Sequence, residues 1–99
     1  MESIYLSDNE LDMLSRKFKI LSEPTRLKIL RALMDGEKCV NEIIQETGLV
    51  QSNVSKQLKK LEQGNIIECR PQKVQRFYKV IDETVFQLCR ILCNPNQNQ

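Results

Sequence analysis

Gln51-Ser52-Asn53-Val54-Ser55-Lys56-Gln57-Leu58-Lys59-Lys60-Leu61 carries one apolar edge, Val54, Leu58 and Leu61, spaced for a helix that lays a single face on a core. Ser52, Asn53, Ser55, Lys56, Lys59 and Lys60 occupy its other faces, and Gly64-Asn65 offers a left-handed stop. The period then changes. Ile66-Ile67-Glu68-Cys69 and Arg76-Phe77-Tyr78-Lys79-Val80 read as two strands, with Arg70-Pro71-Gln72-Lys73-Val74-Gln75 between them as a basic hairpin tip.

Working outward from this stretch, Val40, Ile43 and Ile44 predict a short helix ending at Gly48. Leu27, Leu30, Leu33 and Met34 predict another, closed by Asp35-Gly36. Leu11, Leu14, Phe18 and Leu21 mark a first helix that Ser7 or Asp8 can cap. Ser22-Glu23-Pro24 separates the first two helices, because proline is tolerated only in a first turn. On the other side, Asp82 is placed to cap a fifth helix bearing Val85, Leu88, Cys89 and Leu92. The expected fold is mainly α with a β-hairpin wing, in the order α-α-α-α-β-β-α. It is a winged helix-turn-helix over residues 1–93, followed by a loose tail at 94–99.

The composition narrows the chemistry. Ninety-nine residues make one domain, and with no Trp and 5% aromatics the core must be Leu, Ile and Val. There is no His, which removes the commonest general base and the commonest transition-metal ligand. Gly occurs only at 36, 48 and 64, so no phosphate loop can be drawn, and Cys89 and Cys93 are one residue too far apart for a Cys-x-x-Cys pair. An enzyme is not expected. No apolar run approaches the roughly 20 residues of a membrane span, so no membrane partner is expected. Met1-Glu2-Ser3-Ile4 is no secretory leader, and four thiols without one point to a reducing cytoplasm.

The net charge of +2 is unevenly spread. Residues 49–81 hold Lys56, Lys59, Lys60, Arg70, Lys73, Arg76 and Lys79 against only Glu62 and Glu68, a local excess of +5. Alone, such a block is most often a solvated face. Laid over a helix and a hairpin tip, it is the footprint of a polyanion-binding surface, double-stranded DNA foremost. A winged-helix module that binds only protein is the alternative, and its recognition face would usually lack this cluster.

Three stretches resemble one family: Leu21-Ser22-Glu23-Pro24-Thr25-Arg26-Leu27-Lys28-Ile29-Leu30, the Gln51–Leu61 helix, and Arg76-Phe77-Tyr78-Lys79-Val80. In this order they are similar to the ArsR/SmtB repressors of bacteria and archaea, over about residues 10 to 93. The resemblance implies a homodimer that binds a palindromic operator and releases it when an effector binds. Gln51, Ser52, Ser55 and Lys56 match the family's recognition-helix positions, and Asn53 among them is placed to bond adenine or to be solvated. Lys59 lies on the same helix, and Lys73 and Arg76 on the hairpin would meet phosphate or the minor groove. Val50 stands where relatives usually have Ser. It cannot cap the helix, so Thr47 or Ser52 is expected to do so, moving the helix start by a residue or two.

In the family the first and last helices form the dimer interface, for which Leu11, Leu14, Phe18, Val85, Phe86, Leu88 and Leu92 are the candidates here. Of the family's two best-known metal sites, the one built on His in the last helix has no ligands in this chain. The other, a Cys-x-Cys opening the third helix, is broken: Cys39 matches its first thiol and Asn41 replaces the second. Cys89 and Cys93 share a helix face one turn apart. With a third thiol they would suit a thiophilic ion such as arsenite; alternatively they sense oxidants or sulfur species. Relatives that do the latter pair a late Cys with one in the second helix, where this chain has Arg31. The third reading makes all four thiols core filler. No cofactor is assigned.

Overall fold

Ser7 opens the first helix through a reciprocal cap: its Oγ accepts from the Glu10 N–H (3.2 Å), and the Glu10 carboxylate accepts from the Ser7 N–H (2.9 Å). The computed structural model describes residues 5–92; Met1 to Ile4, Cys93 and the 94–99 tail lie outside them. The helix, α1, spans Asp8–Leu21, and α2 spans Pro24–Leu33 with its proline in the first turn. There follow β1 (Lys38–Cys39), α3 (Val40–Thr47), α4 (Gln51–Gln63), β2 (Ile67–Gln72), β3 (Gln75–Val80) and α5 (Glu83–Leu92). Asp82 caps α5 as expected, its Oδ1 accepting from the Val85 N–H at 3.1 Å.

The core is aliphatic. Ile29, Leu30 and Leu33 of α2, Ile43 of α3, Val54, Leu58 and Leu61 of α4, Ile66 and Ile67 entering β2, Tyr78 of β3 and Val85 of α5 pack as one cluster. The α2, α3 and α4 stripes converge on it, which leaves the polar faces of α4 outside.

Four expectations are corrected. The sheet has three strands, not two, in the antiparallel order β1-β3-β2, with Lys38 opposite Tyr78 and Cys39 opposite Phe77. The added strand is two residues long, too short for alternation to reveal it. The hairpin tip is also tighter than predicted. Pairing runs from Ile67↔Val80 to Gln72↔Gln75, leaving only Lys73-Val74 at the turn, with Lys73 left-handed at φ 57°. Pro71 is accommodated because β2 is an edge strand.

The helix α4 begins at Gln51 with Val50 as an uncapped N-cap; Thr47 Oγ1 instead donates to the Ile43 carbonyl and accepts from the Leu49 N–H. Its left-handed stop falls in the expected Gly64-Asn65 pair, at Asn65 with φ 60°. Finally, Val85 is 2% exposed within the single chain. It belongs to the core and has no surface left to give to a partner.

Candidate nucleic-acid interface

The polar faces of α4 come out of the fold beside the hairpin. Gln51, Ser52, Ser55, Lys56 and Lys59 are exposed, and Asn53 is half-buried. Gln51 and Ser55 line a cleft of about 230 Å³ together with Cys39, Val40 and Asn41 at the start of α3 and Val74, Gln75 and Arg76 of the hairpin. Of the residues singled out in the sequence, Gln51, Ser55 and Arg76 are therefore brought to one place. Lys73 stands at the exposed hairpin tip.

The basic block divides in two. Arg70 is held by Glu37, its Nε and Nη2 donating to the two carboxylate oxygens at 2.9 and 2.8 Å, and its guanidinium lies 5.2 Å from the centre of the Phe77 ring. This pairing raises the Arg70 pKa and holds the Glu37 carboxyl below its usual range. Lys79 lies 3.7 Å from the Glu68 carboxylate across the hairpin. Lys56, Lys59, Lys60, Lys73 and Arg76 have no carboxylate within ion-pair distance among the described residues, and of these Lys60 lines a different cleft, with Lys19, Ile20, Arg26, Gln63 and Gly64. The unpaired charge thus lies on the outer face of α4 and the hairpin, where a polyanion would meet it.

Sequence reasoning missed a network beneath this face. Gln57 is 7% exposed; its Oε1 accepts from Arg26 Nε (2.9 Å) and its Nε2 donates to Asn53 Oδ1 (3.0 Å). Arg26 Nη1 also donates to the Ile20 carbonyl at 2.8 Å, so one guanidinium ties the end of α1 to α4. The available signal was Gln57 itself, a polar residue on the i, i+3, i+4, i+7 apolar edge of Val54, Leu58 and Leu61.

The candidate interface residues fall into three depths. Leu11, Phe18 and Leu92 are exposed, the last two at 56% and 70%; Leu14, Phe86 and Leu88 are half-buried, and Val85 is buried. Leu14, Phe18, Leu21, Val85 and Leu88 line a crevice between α1 and α5 together with Lys17, whose ammonium lies 2.9 Å from the Asp82 carboxylate. Met13 and Ile91, not singled out earlier, add to the exposed apolar surface of these two helices.

The described thiols are dispersed. Cys39 is buried at the N-cap of α3, its N–H donating to the Glu42 carboxylate at 2.9 Å. Cys69 is half-buried and lies 3.8 Å from Arg76 Nη1, while Cys89 lines a separate, largely apolar cleft of about 410 Å³ between α2 and α5. No three metal-ligating side chains gather at one point among the described residues, and Cys93 lies outside them.

Comparison with known proteins places this arrangement. The family model described as "Bacterial regulatory protein, arsR family" matches residues 23–68. The helix-turn-helix regulator KmtR of Mycobacterium tuberculosis is 31% identical over 84% of this chain and 64% of its own length. This chain spans less than two thirds of that relative and 34% of a second regulator from the same organism. A homodimeric winged helix-turn-helix domain from Mycobacterium bovis, described as possibly an ArsR-family regulator, superposes with a TM-score of 0.76. It is 30% identical, over 91% of this chain and 86% of that one. The antimony-specific repressor AntR superposes with a TM-score of 0.83 at 26% identity, over 94% of this chain and 86% of that one. With the winged helix-turn-helix in place and α4 flanked by its hairpin, this chain belongs to the ArsR family.

Proposed function

We propose that the chain is a DNA-binding transcriptional repressor, acting as a homodimer on a palindromic operator and released by an effector at its thiols. The observation that carries the first part is the exposed row Gln51, Ser52, Ser55, Lys56 and Lys59, sharing one face with Arg76 and the tip lysine Lys73. A helix fits the major groove, where short polar side chains reach base edges and cations neutralise phosphate. Val50 leaves the first-turn N–H groups of α4 without a side-chain acceptor, and a phosphate oxygen supplies one. The hairpin then reaches along the duplex to the flanking backbone or minor groove.

The exposed apolar surface of α1 and α5 supports the dimer, as does the homodimeric relative. Two recognition helices reading a palindrome must lie about 34 Å apart, one turn of DNA, so the α1–α5 contact sets their spacing. An effector on α5 changes that spacing without touching DNA. Moving a population from 1:99 to 99:1 takes about 5.5 kcal/mol of differential affinity, which soft metal–thiolate bonds can supply. Cys89 and Cys93 are the pair assigned this role; Cys39, the third candidate thiol, is buried and lines a different cleft from Cys89. The likeness to an antimony-specific repressor supports a thiophilic metalloid, with arsenite the probe.

The test is retardation of duplex DNA by the reduced protein, before and after arsenite. Retardation with a protein mass near twice 11.6 kDa is expected, and none at low salt would overturn the reading. The Cys89→Ser, Cys93→Ser double variant should bind DNA normally yet no longer be released. Release at an unchanged midpoint would make these thiols core filler.

A further inference from the structure

The Arg26–Gln57–Asn53 network has only one possible polarity. A guanidinium carries five N–H donors and no acceptor, so Gln57 must present its amide oxygen to Arg26. Its amide nitrogen is then the end that faces Asn53, one helical turn earlier, and Asn53 must present its own oxygen to receive it. Gln57 cannot escape this by turning to water, because it is almost wholly buried. An unmet amide there would also forfeit a buried hydrogen bond. The consequence reaches the surface: the Asn53 nitrogen, with its two N–H donors, is the end turned away from Gln57.

Asn53 stands in the first turn of α4 among exposed Gln51, Ser52, Ser55 and Lys56. An asparagine reads adenine by using both ends of its amide, accepting from N6 and donating to N7. Here the oxygen is turned toward Gln57, so the outward end is the donor nitrogen. Guanine asks for donors alone, since its major-groove edge offers the acceptors N7 and O6. We infer that Asn53 is a specificity-determining residue that reads the acceptor edge of guanine, and that Gln57 and Arg26 are positioning residues that set its donor polarity from within the fold. This rests on the proposed entry of α4 into the major groove and adds to it a base and a cause for that base.

Gln57→Glu tests it directly. Glutamate keeps an oxygen for Arg26 but offers Asn53 a second acceptor where there was a donor, so the Asn53 amide must reverse and show its oxygen outward. Binding sites are selected from a random duplex pool and sequenced for the wild type, Gln57→Glu, Asn53→Ala and Asn53→Asp, with thermal melting of each to check folding. The wild type should enrich a guanine at one position of each half-site, preferred about tenfold, the worth of one good base contact. Asn53→Ala should lose discrimination at that position alone. Gln57→Glu should move the preference to a base whose edge carries an amino donor, cytosine or adenine. Asn53→Asp, which turns an acceptor outward without changing the buried partner, should do the same if Gln57→Glu fails to fold. An enriched site unchanged by Asn53→Ala, or weakened alike at every sequence, would overturn the inference while leaving the groove reading intact. No enrichment by the wild type would take down both.

Discussion

Replacing Lys73, at the exposed tip of the hairpin, by Ala should change the salt dependence of DNA binding by a calculable amount. Each protomer offers Lys56, Lys59, Lys73 and Arg76 free of carboxylates among the described residues, whereas Arg70 and Lys79 are engaged by Glu37 and Glu68. Lys60 is unpaired as well but lines a cleft with Lys19 and Arg26 rather than one with the hairpin, so the proposed dimer brings eight cations to the backbone. At about −0.9 per phosphate neutralised, the logarithmic slope is about −7, and affinity falls on the order of 10⁴-fold between 50 and 200 mM salt. Lys73→Ala removes two contacts per dimer, which flattens the slope to about −5.4 and reduces the loss to about 2 × 10³-fold. Were Arg70 and Lys79 also on phosphate, the slope would instead approach about −11. Fluorescence anisotropy of a labelled duplex titrated at several salt concentrations measures this. A slope shallower than about −2, or one untouched by Lys73→Ala, would refute the assignment of the unpaired cations to DNA.

The other predictions concern stability and assembly. Val50→Ser should supply the missing cap of α4, adding about 1 kcal/mol and raising the melting temperature by about 4–8 °C. Leu92→Lys should give a monomer of 11.6 kDa by sedimentation with unchanged circular dichroism, since Leu92 is exposed within the protomer. Val85→Ala should instead lower stability by about 2 kcal/mol and leave the mass alone. Burial pushes the Asp82 carboxyl up, but the Lys17 ammonium and the N–H groups of Val85 and Thr84 outweigh it and hold it below its usual range. A depressed carboxylate contributes stability above its unfolded pKa of about 3.9 and loses it as pH falls through the folded value. Asp82→Asn should therefore weaken the fold at neutral pH and flatten the acid limb of denaturant midpoints. Parallel curves would count against the pairing.

Those parts of the fold governed by local periodicity were legible. The change from a 3.6-residue to a 2-residue period at Gly64-Asn65 located α4 and the hairpin, and the Leu and Ile spacing located the core faces of α2 and α3. A stripe gives a direction but not a depth. Val85 and Leu92 lie on the same stripe of α5, yet one is core and the other surface, because only the first lies over the cluster built by α2 and α4. Pairings between distant residues left no local mark. Glu37 with Arg70 and Arg26 with Gln57 are 33 and 31 residues apart, and each decides which of the charged and polar groups near the site remain available. The basic block therefore read as seven equivalent cations, whereas the folded chain pairs two of them with carboxylates and places a third, Lys60, along another cleft.

β1 pairs with β3 and runs without a break into α3, while Glu37, the residue before it, grips Arg70 on β2. Hairpin and helix pair are thus bolted together at their base, and neither can swing without carrying the other. In the proposed dimer each protomer would be one jaw of a calliper, stiff across the described residues of the helix pair and hairpin, with a pivot at the contact between the two copies. The effector proposed for α5 would then open or close the gap between jaws as a whole. Inserting or deleting single base pairs between the half-sites should accordingly trade directly against the strength of the effector.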